Sequence, residues 1–177
     1  MAIFEFEGRK PKISKDAYVF ETASIIGDVT LSGKVWVGPG AVIRGDYGSI
    51  RIGNGTAVED NVVIHARPGM EAVIGEHVTL GHSCVIHTAK IDDYAVIGMH
   101  STVTDFAKVG RWAVVAEHAL VKARQEIEAG KVVGGVPAKV IKDVEEQYKK
   151  QWEEYKENYT SFCERYSKNL VKRYNSQ

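Results

Sequence analysis

The stretch from Ile91 to Ile127 reads IDDYAVIGMHSTVTDFAKVGRWAVVAEHALVKARQEI, with an aliphatic residue at every sixth place. Ile91, Ile97, Val103, Val109, Val115, Val121 and Ile127 hold this phase without a slip. Four residues after the aliphatic comes a small one: Ala95, Ser101, Ala107, Ala113 and Ala119. Six is not a multiple of 3.6, so a helix would scatter these aliphatics around its surface. Six is a multiple of two, so each unit can be a short strand with one face turned inward. Glycine often follows the aliphatic, as in Ile97-Gly98 and Val109-Gly110, and relieves crowding where the chain bends. Coils of three such units stack into a parallel β-helix and bury a continuous aliphatic column.

The same metre extends towards the N-terminus. Ile74, Leu80 and Ile86 keep it, as do Ile52, Val58 and Ile64, and Leu31, Val37 and Ile43, with Ile26 five before Leu31. Ala41, Thr56 and Cys84 fill the small-residue place. The run corresponds to roughly six coils, each about 4.8 Å thick. It slips between Ile43 and Ile52 and between Ile64 and Ile74, so residues near Asp46–Ser49 and Arg67–Glu71 are expected to loop out. Beyond Ala138 the metre stops. Val144, Tyr148, Trp152, Tyr155, Tyr159, Phe162, Tyr166, Leu170 and Tyr174 then step by three or four, one stripe of an amphipathic helix. Lys, Glu and Arg fill its other face and are expected to be solvated. The organisation expected is a mainly β domain over residues 1–142 and a C-terminal helix within 143–177 packed on it.

Composition narrows the function. The chain has 177 residues, with 23 basic and 23 acidic side chains and a formal net charge of zero. That balance argues against nucleic-acid and anionic-membrane partners, which call for a basic excess. Cys84 and Cys163 are the only cysteines, too few for a disulfide framework, which points to a reducing, cytoplasmic setting. No apolar run reaches transmembrane length, and the N-terminus does not read as a signal peptide.

Three of the histidines fall where the metre gives them meaning. His65 follows Ile64 and His87 follows Ile86, so both hold the second, outward place of a unit. Their separation is one coil plus the slip, which stacks them on neighbouring coils. His82 holds the third place of its unit, near a corner and on another side. Stacked outward imidazoles can share a metal ion, or can simply be surface residues. Within one chain His82 is poorly placed to complete a three-ligand set; a neighbouring subunit could supply it. Arg44 stands one coil before His65, with Asp46, Glu59 and Asp60 nearby; an Arg among carboxylates is either a structural ion pair or an orienting group. His77, His100 and His118 hold fourth places and read as exposed or interface residues. Cys84 holds an inward place and reads as a buried, inert thiol.

The runs Val42-Ile43-Arg44-Gly45-Asp46, Val58-Glu59-Asp60-Asn61-Val62-Val63-Ile64-His65 and Gly81-His82-Ser83-Cys84-Val85-Ile86-His87 resemble the γ-class carbonic anhydrases. The resemblance covers about residues 10 to 142. It implies a left-handed parallel β-helix, although most β-crossovers are right-handed. It also implies a homotrimer with a Zn²⁺ ion at each subunit interface, a site type that also accepts Fe²⁺ or Co²⁺. His65 and His87 would come from one chain and His82 from its neighbour. Arg44, Asp46 and Asp60 match the family's interface ion-pair residues, and Tyr159 matches a C-terminal tyrosine that reaches the site. The implied activity is reversible hydration of CO₂ to bicarbonate by metal-bound hydroxide.

The chain departs from the family's usual pattern. Glu59 stands where glutamine is usual and would contact the metal-bound water. Tyr47 stands where some members carry a proton-shuttle glutamate, and the short loop Ala66–Met70 replaces an acidic one, so proton transfer to buffer is expected to be slow. Two other classes share such a fold. One is an acyl-CoA acyltransferase or thioesterase-like protein, with His100 or His118 as a base and no metal. The other is a non-catalytic scaffold.

Overall fold

The computed structural model describes residues 2–172. The alternation of apolar and polar places produces short strands that pair in parallel with those one coil away, in a left-handed β-helix of three faces. On the first face Ile25, Ile43, Ile64, Ile86, Val103 and Val121 lie in register, each fully buried. The second face stacks Ile13, Leu31, Ile52, Ile74, Ile91, Val109 and Ile127. The third stacks Val19, Val37, Val58, Leu80, Ile97, Val115 and Val133. Ala41, Thr56, Cys84, Ala95, Ser101, Ala107 and Ala113 fill the corners at 0% exposure, where the interior has room only for small side chains.

The stack has about seven turns, one more than the metre suggests. The extra coil is the first, in which Ala2–Phe4 pairs in parallel with residues 24–26 of the next level, Ile3 opposite Ile25. A reversal at Phe6 and Arg9 lengthens the spacing from Ile3 to Ile13 and hides this coil from a count by sixes. The inward residue at the next level is Ile25, not Ile26. Ile26 faces outward in register with Arg44, so the six-residue spacing to Leu31 is kept.

The two slips resolve differently. Residues 46–49 do not leave the sheet: they lie inside the strand Val42–Ile52 as a bulge, with Gly27 opposite Gly45 and Val29 opposite Ile50. The strand turns the corner here against the backbone of its neighbour. A Cβ on Gly27 would meet the Gly45 carbonyl oxygen at 2.4 Å, so no side chain fits. The later insertion does leave the sheet, as a turn through Pro68 and Gly69 before the strand Glu71–Ile74.

After the last coil the strand Lys139–Asp143 folds back antiparallel to Lys131–Gly134. The helix Glu146–Asn169 then runs back along the third face. Val144, Tyr148 and Trp152 pack on Val96, Val114 and Val132 near its start. Near its end Tyr159, Phe162 and Tyr166 enclose Trp36, with ring centroids 5.5 to 5.8 Å away. Tyr155 and Leu170 of the expected stripe are exposed, and Tyr174 lies outside the described residues.

Lys156 is a charged residue of this helix that is buried rather than solvated, at 3% exposure. Its ammonium donates to Thr79 Oγ1 at 3.1 Å and lies 5.4 Å from the centre of the Trp152 ring. Burial lowers its pKa to about 7. The unfolded chain keeps this proton to about pH 10.4. Between those values the unfolded state binds more protons, so stability rises with pH by up to a few kcal/mol. Lys156→Met is expected to be more stable than wild type at pH 7 and to show a flatter rise towards about pH 9.5. Guanidinium unfolding across that range checks this, and parallel curves for the two proteins would sink it.

Candidate metal centre

Strand alternation turns Val63 and His65 outward around buried Ile64, and Val85 and His87 outward around buried Ile86. Register places Arg44, His65 and His87 in one outward row on the first face. His65 Nδ1 lies 3.2 Å from His87 Nε2. The far nitrogen of each ring meets a carboxylate: His65 Nε2 lies 3.0 Å from Asp46 Oδ1, and His87 Nδ1 2.6 Å from Asp105 Oδ1. Each carboxylate is held in turn by an arginine. Arg44 Nη1 donates to Asp46 Oδ2 at 2.6 Å, and Arg67 Nη2 to Asp105 Oδ2 at 2.7 Å. Two Arg–Asp–His relays therefore converge on one point.

Chemistry follows from which atoms carry protons. A carboxylate only accepts, so the imidazole nitrogen facing it must be N–H. That leaves lone pairs on His65 Nδ1 and His87 Nε2, facing each other at 3.2 Å. Two facing acceptors repel unless a cation, a proton or a metal ion, lies between them. Two nitrogens bound to one tetrahedral Zn²⁺ stand about 3.3 Å apart, from bond lengths of about 2.0–2.1 Å. The pair thus has the spacing and the carboxylate-backed second nitrogens of a metal site. Burial lowers the pKa of His65 and keeps the ring neutral, the form that ligates. Burial raises Asp46, but Arg44 and His65 outweigh it and leave the carboxyl below its ordinary range. Arg67 foremost, with His87, lowers Asp105 to about 2.

His82 is elsewhere, at the corner that follows the third face. Its Nε2 lies 3.2 Å from Glu59 Oε2 and its Nδ1 3.5 Å from Asp60 Oδ2. Glu59 is buried. Its Oε2 also accepts from the His82 backbone N–H at 3.1 Å, and the Tyr159 hydroxyl donates to its carboxylate. Burial first, then Glu59, raises the pKa of Tyr159. Among the described residues no group of three His, Cys, Asp or Glu side chains converges for a metal. Glu59, Asp60, His82 and Tyr159 thus form one cluster, while Arg44, Asp46, His65 and His87 form another. Beside the first cluster a cavity of about 410 Å³ lies under the helix, walled by Val96, Val114, Val132, Tyr148 and Trp152. Tyr47 is exposed, its ring centre 6.0 Å from that of His65.

Comparison with known proteins gives three informative relatives. The mitochondrial γ carbonic anhydrase 2 of Arabidopsis thaliana is 33% identical over 145 residues, covering 78% of this chain and 52% of that protein. The carnitine operon protein CaiE of Salmonella newport is 35% identical over 147 residues, covering 83% of this chain and 74% of CaiE. The chain belongs to the hexapeptide-repeat family that includes CaiE, and it is similar to the γ-class carbonic anhydrases. It spans about half the length of the Arabidopsis protein. A solved Bacillus cereus structure, provisionally named an acetyltransferase, superposes with a TM-score of 0.91 at 30% identity, covering 96% of this chain and 98% of that one. No protein-family model matches.

Within this hexapeptide-repeat chain, sequence reading missed Asp105 and the role of Arg67. Asp105 lies 18 residues after His87, one full coil, and a count by coils from each histidine would have found it. His100 and His118, the candidate acyl-transfer bases, stack on each other with ring centres 5.1 Å apart. Among the described residues neither is hydrogen-bonded to a carboxylate as His65 and His87 are. Cys84 is fully buried, and burial raises its pKa, which suits an inert thiol. No helix among the described residues is long and apolar enough to cross a membrane.

Proposed function

We propose that the protein is a metal-dependent enzyme of the γ-carbonic anhydrase type, which hydrates CO₂ reversibly to bicarbonate at the interfaces of a homotrimer in the cytoplasm. The observation that carries this reading is the facing pair of imidazole lone pairs, each backed by its own Arg–Asp relay. A Zn²⁺-type ion supplies Lewis acidity and lowers the pKa of the water it holds towards about 7. Fe²⁺ and Co²⁺ suit the same donors.

His65 and His87 supply two ligands and leave the set incomplete. The His82 side chain is 43% exposed, at a corner that a neighbouring copy can reach. A trimer brings one copy's His82 to another copy's His65 and His87 three times over. Val63 and Val85, outward neighbours of the two ligands and 39% and 36% exposed, give that docking an apolar lining. As third ligand, His82 would give up its ring contacts with Glu59 and Asp60. The Glu59 carboxylate, held by the His82 backbone N–H and the Tyr159 hydroxyl, would then be the acceptor for a proton from water at the site. Asp46 and Arg44 orient His65, and Asp60 closes the corner beside His82.

Glu59 is the residue to vary. Glu59→Ala is expected to bind metal as wild type does and to lose CO₂ hydration by about 100-fold or more. Glu59→Gln restores the family's usual residue and is expected to retain or raise activity. Stopped-flow hydration assays and metal analysis check both, and wild-type rates in both variants would reduce Glu59 to a buried carboxylate without a chemical role. The Bacillus cereus neighbour favours a second reading, acyl transfer without metal. Metal content and CO₂ hydration of anaerobically purified protein separate the two.

A further inference from the structure

His87 is held from a loop that belongs to another coil. The turn after His65 carries Arg67, whose backbone N–H donates to Thr88 Oγ1 at 2.9 Å. The loop is thereby tied to the residue beside His87. From that anchor the Arg67 guanidinium reaches Asp105, and Asp105 reaches His87. Both oxygens of the Asp105 carboxylate are engaged, one by each partner, so the carboxylate cannot rotate without breaking a contact. Because it can only accept, it also decides which nitrogen of His87 carries the proton.

We propose that Arg67 and Asp105 are a positioning pair that holds His87 in one tautomer and aims its Nε2 at the ion, a role that rests on the metal reading above. In place of an acidic group, this loop carries a clamp. The companion relay on His65 is built separately: Asp46 is held by Arg44, and its backbone carbonyl accepts from Arg9 Nη1 at 2.5 Å. The two histidines are therefore set independently, and damage to one relay leaves the other in place. Loss of a carboxylate behind a metal-ligating histidine typically weakens metal binding by about 10- to 100-fold.

Asp105→Asn keeps the volume but has one acceptor oxygen for two donors, so either Arg67 or His87 is left unserved. Arg67→Gln leaves Asp105 on His87 but frees it to rotate. Zn²⁺ affinity is measured by competition with a chromogenic chelator, and the imidazole ¹⁵N shifts are read in the metal-free protein. Asp105→Asn is expected to bind Zn²⁺ about 10- to 100-fold more weakly, with the Nδ1–H form of His87 depleted and the tautomer of His65 unchanged. Arg67→Gln is expected to weaken binding several-fold, and Arg67→Lys to restore most of the loss. Wild-type affinity together with an unchanged His87 tautomer in Asp105→Asn overturns the proposal. If Asp105→Asn does not fold, the same pair of results in Arg67→Gln overturns it. If wild type itself binds no Zn²⁺, the metal reading fails, and the tautomer of His87 in the metal-free variants still decides whether the clamp exists.

Discussion

Val115→Asp is expected to leave no folded protein. Val115 is fully buried on the third face, between Ile97 of the coil below and Val133 of the coil above. A carboxylate at that place meets aliphatic side chains and has no hydrogen-bond donor within the column. Burying it ionised, or protonating it to bury it neutral, costs several kcal/mol, comparable with the ~5–15 kcal/mol that a whole domain has. The coil cannot turn the residue outward, because a shift of one place reverses every side chain on the strand. Val109, at the same depth on the second face between Ile91 and Ile127, is expected to behave alike. Lys108→Asp, one residue before Val109 and outward, is the control and is expected to fold, since it only sets two exposed acids side by side. Expression, solubility and circular dichroism check the series. A soluble, β-rich Val115→Asp protein would mean that the column is not the core.

The second large effect is on metal content. His82→Ala, and His65→Ala combined with His87→Ala, are each expected to yield a trimer that has lost nearly all tightly bound metal. The first lacks the third ligand at every interface, the second lacks the other two. Mixed in equal amounts and co-refolded, the variants are expected to regain about a quarter of the wild-type sites. Each interface draws one face from one chain and the opposing face from the next, and each is intact with a chance of about one half. CO₂ hydration should return in the same proportion. Metal per trimer, measured on the mixture and on each variant alone, checks this. Absence of any recovery would show that the ligands are not divided between chains, and full metal content in His82→Ala alone would remove His82 from the set.

Legibility in the sequence followed the reach of each interaction. The aliphatic column was open to reading because its period is written in every unit from Ile91 to Ile127. The outward row of Arg44, His65 and His87 was open for the same reason, since register follows from period. The first coil was not, because the reversal at Phe6 and Arg9 breaks the spacing where Ile3 and Ile13 stand. Ile26 reads as inward because it is aliphatic, and only the pairing of Ser24–Leu31 with Val42–Ile52 shows that Ile25 holds the column. At the site, His82 could be located by place but its attachment to Glu59 could not. Asp105 escaped notice because it sits in a unit with no other unusual residue, and its meaning comes from a partner one coil earlier. Lys156 was hidden for a different reason. A helical stripe is read from apolar residues, and a buried lysine whose ammonium reaches Thr79 Oγ1 breaks that rule without leaving a mark.

The helix that returns along the third face changes how the stack comes apart. A column in which each coil touches only the next would fray from either end, one layer at a time, with the outermost layers opening most often. Here the chain's last long element is laid on its beginning: Tyr166 packs on Tyr18 and Phe20, and Cys163 Sγ lies 3.4 Å from the Val35 carbonyl oxygen. Val144 and Tyr148 are anchored at the opposite end. Opening the first layer therefore disturbs the strap that holds the last, and the two ends lose their independence. Linear layering becomes closed mechanical bracing, and the histidine row in the middle of the stack is shielded from breathing at both ends.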